Sequence, residues 1–228
     1  MVGELIEISA SRRAFYGMLS GLFYKELDKR QIDSFCRLRL SEVAFDDDEM
    51  NRGFEMISHY FKTKIGDVRQ DLAVDYAHAI LAIGSHTDHM AIPFESVFTS
   101  SEGLLMQEAR DDVYRFFCQE HLGVAEGTDV PEDHLSFAFE FMSALCDRFE
   151  KALLDGCVSE AKTLLETQCQ FHRKHLLNWI DSYCDALGRS ARTEFYKGLS
   201  LVTKSWVYGD REVMAKMADS LSEENATA

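Results

Sequence analysis

Apolar positions recur along this chain at intervals of three and four almost from end to end. Val68, Leu72, Tyr76, Ala79, Ile80 and Ile83 form one such stripe, and Leu165, Cys169, His172, Leu176, Trp179 and Tyr183 form another. Phe195, Leu199, Val202 and Trp206 make a third. This spacing gathers side chains on one face of an α-helix. Near the N-terminus Ile8, Phe15, Leu19, Leu22 and Phe23 share a face and predict a first helix. From Leu135 to Leu153 the pattern thickens, with Leu135, Ala138, Phe139, Met142 and Leu145 on one side and Phe137 and Phe141 on another. A helix apolar on two sides is expected to be central and touched by several others. The fold class predicted is all-α, a compact helical bundle.

Two stretches interrupt the pattern, and each holds one of the two prolines. Proline removes a backbone donor and ends helical runs. Pro93 falls in "GSHTDHMAIPFES"; Pro131 falls in "EGTDVPEDH", where Asp129 and Glu132 have capping-box spacing and Pro131 fits a first helical turn. "IPFESVF" combines a proline, two aromatics, a β-branched valine and one carboxylate, so it reads neither as a solvated loop nor as a good helix. The organisation expected is an N-terminal helical half, residues 1–122, with an irregular 84–102 segment, then a hinge at 123–131 and a C-terminal helical half at 132–228.

Composition narrows the function. A 228-residue chain that is 46% hydrophobic can bury a substantial core. Thirteen glycines and two prolines leave little for a linker. The formal charge of −15 is concentrated at Asp46 to Glu49, around Glu126 to Asp133, and at Asp219, Glu223 and Glu224. Phosphate binding needs a basic stripe, so nucleic acid is excluded as a main partner, while a cationic partner is permitted. Six cysteines, Cys36, Cys118, Cys146, Cys157, Cys169 and Cys184, form no CxxC pair and stand in predicted helices or at their ends, mostly on apolar faces. That usage fits core thiols in a reducing compartment, so the expected location is cytoplasmic. No run of 18 apolar residues exists to span a membrane. "SRRAFYGMLSGLFY" looks at first like a twin-arginine export signal, yet Lys25, Glu26 and Asp28 follow at once without a small-residue cleavage site, so it is read as the first helix.

Enzyme signatures are missing. There is no phosphate loop, GxGxxG, GxSxG or HExxH, and none of the eight histidines has a glutamate three positions before it, as a di-iron bundle requires. His86, Asp88 and His89, or His172 with His175, would supply two metal ligands each, without a third and fourth at readable spacing. No catalysis, cofactor or metal is expected.

Three motifs in order carry a resemblance: "DYAHAILA" (Asp75 to Ala82), "PFESVF" (Pro93 to Phe98) and "VPEDHLSFAFEF" (Val130 to Phe141), followed by "HLLNW" and "TEFYKGL". The chain resembles the TorD-like (TorD/DmsD/NarJ) family of cytoplasmic chaperones that help molybdenum enzymes mature. It departs from the family pattern at Val130, Phe94 and Ala79-Ile80. The resemblance implies a chaperone that binds the twin-arginine signal peptide and the apo catalytic subunit of a molybdopterin oxidoreductase until cofactor insertion and export, as a monomer or a helix-swapped dimer. A receptor for two guanidinium groups beside an apolar stretch needs an apolar groove with carboxylates at one end. On this reading Tyr76, Ile80, Phe94 and Phe98 line the groove, Glu95, Asp133 and His134 form its polar end, with Asp133 and His134 at the exposed start of a helix, and Ser96 and Pro131 belong to the binding residues; the structural alternative makes Phe94 and Phe98 core plugs under a loop and Glu95 an acceptor for loop backbone donors. The alternatives are a nucleotide-responsive protein, which nucleotide calorimetry would reveal, and a helical scaffold for another partner, which a pulldown would expose.

Overall fold

The computed structural model describes residues 2–38, 45–81, 83, 91–125 and 127–226. Ten helices account for most of them: α1 (Val2–Tyr24), α2 (Lys29–Arg37), α3 (Asp48–Thr63), α4 (Val68–Ala79), α5 (Glu95–Thr99), α6 (Glu108–Gln119), α7 (Leu135–Leu154), α8 (Val158–His175), α9 (Ile180–Ser190) and α10 (Glu194–Ala226). The protein is all-α, as its periodicity predicts, with one isolated antiparallel bridge between Phe94 and His134 among the described residues.

The chain divides into two compact units that do not follow chain order. The first comprises residues 1–21, 94–178 and 208–228, and the second 22–93 and 179–207. The stretch 123–131, expected as a hinge between halves, therefore lies inside the first unit.

In the first unit α7 is the central helix. Leu135, Phe137, Ala138, Phe139, Phe141, Met142, Leu145, Cys146 and Phe149 are all buried, on more than one face. Phe141 meets Phe117 of α6 at 4.9 Å and Phe171 of α8 at 4.5 Å between ring centroids, and Tyr16 of α1 meets Phe139 at 5.9 Å. Tilted aromatic pairs at such spacing add to the burial of their large apolar surface. A charge lies within this core: the Arg12 guanidinium grips Asp210 through Nε (2.5 Å) and NH2 (3.0 Å), Tyr16 donates to Asp210 at 2.6 Å, and Arg12 NH1 donates to Gln168 at 2.8 Å. Burial opposes the Arg12 charge, but Asp210 outweighs it and holds the guanidinium pKa above its ordinary value. The "SRR" arginines thus belong to a folded helix, with Arg13 paired to Glu150 at 3.0 Å.

In the second unit Phe35, Phe61 and Phe195 stack and edge together with centroids 5.5–5.7 Å apart. α3 and α10 approach so closely that a Cβ on Gly198 would lie 2.5 Å from the Gly53 carbonyl oxygen. Asp75 of α4 closes the N-terminus of α10, accepting from the Arg192 and Thr193 amides (3.0 and 2.8 Å) and the Thr193 hydroxyl (2.6 Å). These donors precede the first full turn and have no intrahelical acceptor, which is why a carboxylate there is stabilising.

Three expectations are corrected. The stripe from Leu165 to Tyr183 is not one helix: α8 ends at His175, where the Leu176 and Leu177 amides both turn back to the His172 carbonyl (3.1 and 2.9 Å), and α9 begins at Ile180. Pro131 does not open a helix, since α7 begins at Leu135, after a turn over Glu132 and Asp133. Nor do the cysteines mostly face the core: Cys146 and Cys184 are buried and Cys169 partly so, but Cys36, Cys118 and Cys157 are exposed, all as free thiols.

Candidate functional site

The segments Phe94 to Phe98 and Pro131 to His134 meet in the first unit. Extended backbone at Phe94 bridges to His134, and the Glu95 amide donates to the Asp133 carbonyl at 3.1 Å. From Glu95 the "PFESVF" segment becomes the short helix α5, whose buried first amides need acceptors. Asp133 provides one, its Oδ2 accepting from the Ser96 amide at 2.9 Å. Its Oδ1 is buried without a hydrogen-bond partner among the described residues.

His134 caps α7 with its imidazole. Nδ1 accepts from the Ser136 amide at 3.1 Å and lies 2.7 Å from the Ser136 hydroxyl. The ring sits edge-on to Phe94 at 4.8 Å, and burial pulls its pKa down to about 4. A neutral ring suits the cap, because a protonated Nδ1 cannot accept.

Glu95 points into the unit. Its carboxylate takes a hydrogen bond from Asn178 at 2.7 Å and pairs with His175 Nδ1 at 2.9 Å. Both partners come from "HLLNW", and their shared grip on Glu95 coincides with the turn that ends α8. In the sequence "HLLNW" entered only as part of the resemblance, with no contact assigned to it. The available signal was two polar residues three apart inside an apolar stretch.

The predicted residues therefore separate by location. Phe94, Glu95, Ser96, Phe98, Pro131, Asp133 and His134 all lie in the first unit, while Tyr76 and Ile80 lie in the second. Tyr76 is buried there and donates its hydroxyl to the Phe23 carbonyl at 3.0 Å; Ile80 is fully buried. Asp133 and His134 are not at an exposed helix start: they are 1% and 5% accessible. The accessible parts are Phe94, Phe98 and Pro131, all partly exposed, with Asn178 at the rim. Arg110 holds the turn beside them, clasping Glu132 through Nε (2.6 Å) and NH2 (2.8 Å). Residues 84–90, with His86, Asp88 and His89, lie outside the described residues, and no group of three or more metal-ligating side chains occurs among those described. A groove of about 340 Å³ opens elsewhere in the first unit, between α8 and α10 at Leu165, Cys169 and Leu221, and shares no residue with this cluster.

The arrangement presents a partly apolar edge of Phe94, Phe98 and Pro131, backed by the buried carboxylates of Glu95 and Asp133. The family model described as nitrate reductase delta subunit matches residues 46–185. The chain is 24% identical to the Vibrio cholerae protein named Chaperone protein TorD over 95% of this chain and 98% of that one. Proteins of the same name from Shewanella pealeana and Vibrio vulnificus are each 25% identical, covering 92% and 86% of this chain and 92% and 91% of their own.

Proposed function

Because the chain belongs to the TorD-like nitrate reductase delta subunit family of redox-enzyme maturation chaperones, we propose that it acts in the cytoplasm by binding the twin-arginine signal peptide of an apo molybdoenzyme. The same client's catalytic subunit would be held until its cofactor is inserted. The observation that carries this reading is the convergence of "PFES" and "PEDH" through the Phe94–His134 bridge and the Asp133–Ser96 hydrogen bond. It leaves Phe94, Phe98 and Pro131 accessible on a strongly acidic protein. Apolar contact and carboxylates are the two features a peptide with paired arginines and an apolar run requires. Acting as a chaperone and not as an enzyme, the protein needs no reacting group at this edge.

The test is a titration of a synthetic signal peptide, bearing two arginines followed by an apolar run, at increasing salt. Affinity is expected to weaken as salt rises, since charge pairing near a surface is screened. Replacing both arginines with glutamine should weaken it about tenfold or more. Equal affinity for the two peptides would remove the electrostatic part of the reading, and no binding of either would remove the whole.

A further inference from the structure

We propose that the loop joining α5 to α6, residues 103–107, is a preformed docking edge for the apolar run of that cationic peptide, a proposal that rests on the peptide-binding reading above. Leu104, Leu105 and Met106 are 51%, 43% and 58% exposed. Isolated exposed apolar side chains are ordinary, but three in succession on a short loop form a patch with a use or a cost.

The loop is held in one shape. The Leu104 amide donates to the Ser100 hydroxyl at 3.2 Å, the Gln107 side-chain amide to the Leu105 carbonyl at 2.9 Å, and the Gln107 backbone amide to the Ser96 hydroxyl at 3.2 Å. Met106 sits at φ +59°, a left-handed conformation that a residue with a Cβ rarely adopts. Such a conformation persists where the surroundings over-determine it. Ser96 is itself fixed by Asp133, so a chain of hydrogen bonds runs from "PEDH" through "PFES" to the base of the loop. In this relay buried Asp133 is a positioning residue.

Charge identifies the occupant. Exposed Glu102 and Glu108 flank the three apolar residues. Of the two arginines between residues 95 and 134, Arg110 is engaged by Glu132 and Asp111 and Arg115 by Asp112, and that stretch holds no lysine. A neutral apolar segment would strip water from Glu102 and Glu108 without replacing it, and an acidic one would be repelled. An apolar run next to arginine satisfies both parts of the edge.

The experiment uses the whole protein and the two-arginine peptide with a photoreactive group in its apolar run. Cross-links mapped by mass spectrometry are expected within residues 103–107. The variant Leu104→Ser/Leu105→Ser/Met106→Ser should bind that peptide about tenfold more weakly. A control peptide with its arginines kept and its apolar run replaced by serines should bind variant and wild type alike. Wild-type binding with cross-links only elsewhere, or an unchanged Kd for the variant, overturns the loop proposal and leaves the peptide reading intact. Failure of the wild type to bind the peptide overturns both. Cross-linking needs no substitution, so it decides the matter even if the variant does not fold.

Discussion

His134 is a helix cap that works only while uncharged, and this ties the stability of the first unit to pH. Its folded-state pKa of about 4 lies below the ordinary histidine value of about 6.5. The unfolded chain therefore binds the extra proton first as pH falls, and the neutral cap's contribution, complete above about pH 6.5, declines through that range and levels off below about pH 4. The loss amounts to on the order of 3 kcal/mol. Urea unfolding across this range should show the slope in the wild type and a flatter profile in His134→Asn, where an amide oxygen can cap without titrating. An identical slope in the variant would assign the titration to other groups. The sequence placed Asp133 and His134 of "PEDH" at an exposed helix start, and their burial was not legible in it. Asp129 and Glu132 satisfy capping-box spacing in the sequence, yet Glu132 is claimed by Arg110 and Asp133 by α5, contacts across 22 and 37 residues that no local pattern encodes.

Helix α10 carries two glycines with opposite roles. Gly198 faces Gly53 on α3, and a Cβ there would meet the Gly53 carbonyl oxygen at 2.5 Å and Ile57 at 3.0 Å. Gly209 has nothing within 4 Å of the same position. Gly198→Ala should destabilise by about 1–3 kcal/mol, because backbone must move to admit the methyl. Gly209→Ala should stabilise by up to about 1 kcal/mol, from the better helix propensity of alanine. Thermal melts of the two variants check the contrast, and a rise in Tm for Gly198→Ala would mean the helices yield easily. At this scale the sequence told much: the stripe Phe195, Leu199, Val202 places α10, and the doubled apolar pattern marks α7 as central. The break between α8 and α9 was hidden, because Leu176 and Trp179 keep the three-and-four spacing through the turn. What ends α8 is the hydrogen bonding at His172 and the engagement of His175 and Asn178 by Glu95, a residue 80 positions away from His175.

Across the whole molecule, the first unit needs both ends of the chain, since residues 1–21 and 208–228 are part of it. Arg12 and Asp210, 198 positions apart and each 2% exposed, are a bond between those ends. Arg12 lies within the apolar stripe of Ile8, Phe15 and Leu19, a charge where the pattern calls for a hydrophobe. That misfit was the signal in the sequence that a buried partner existed, though nothing local named Asp210. A buried ion pair is weak evidence of net stabilisation, because desolvation offsets much of the attraction, but removing one partner leaves a charge stranded in the core. Asp210→Ala should therefore cost about 3–5 kcal/mol, a large part of the roughly 5–15 kcal/mol typical of a domain. The double variant Arg12→Met/Asp210→Leu should recover a substantial part of that loss, since no charge remains to be desolvated, although Tyr16 and Gln168 still forfeit their hydrogen bonds to the pair. Urea denaturation of the three proteins makes the comparison. A double variant no more stable than Asp210→Ala would mean that the hydrogen-bonded network, and not the stranded arginine, sets the cost of joining the two ends of the chain.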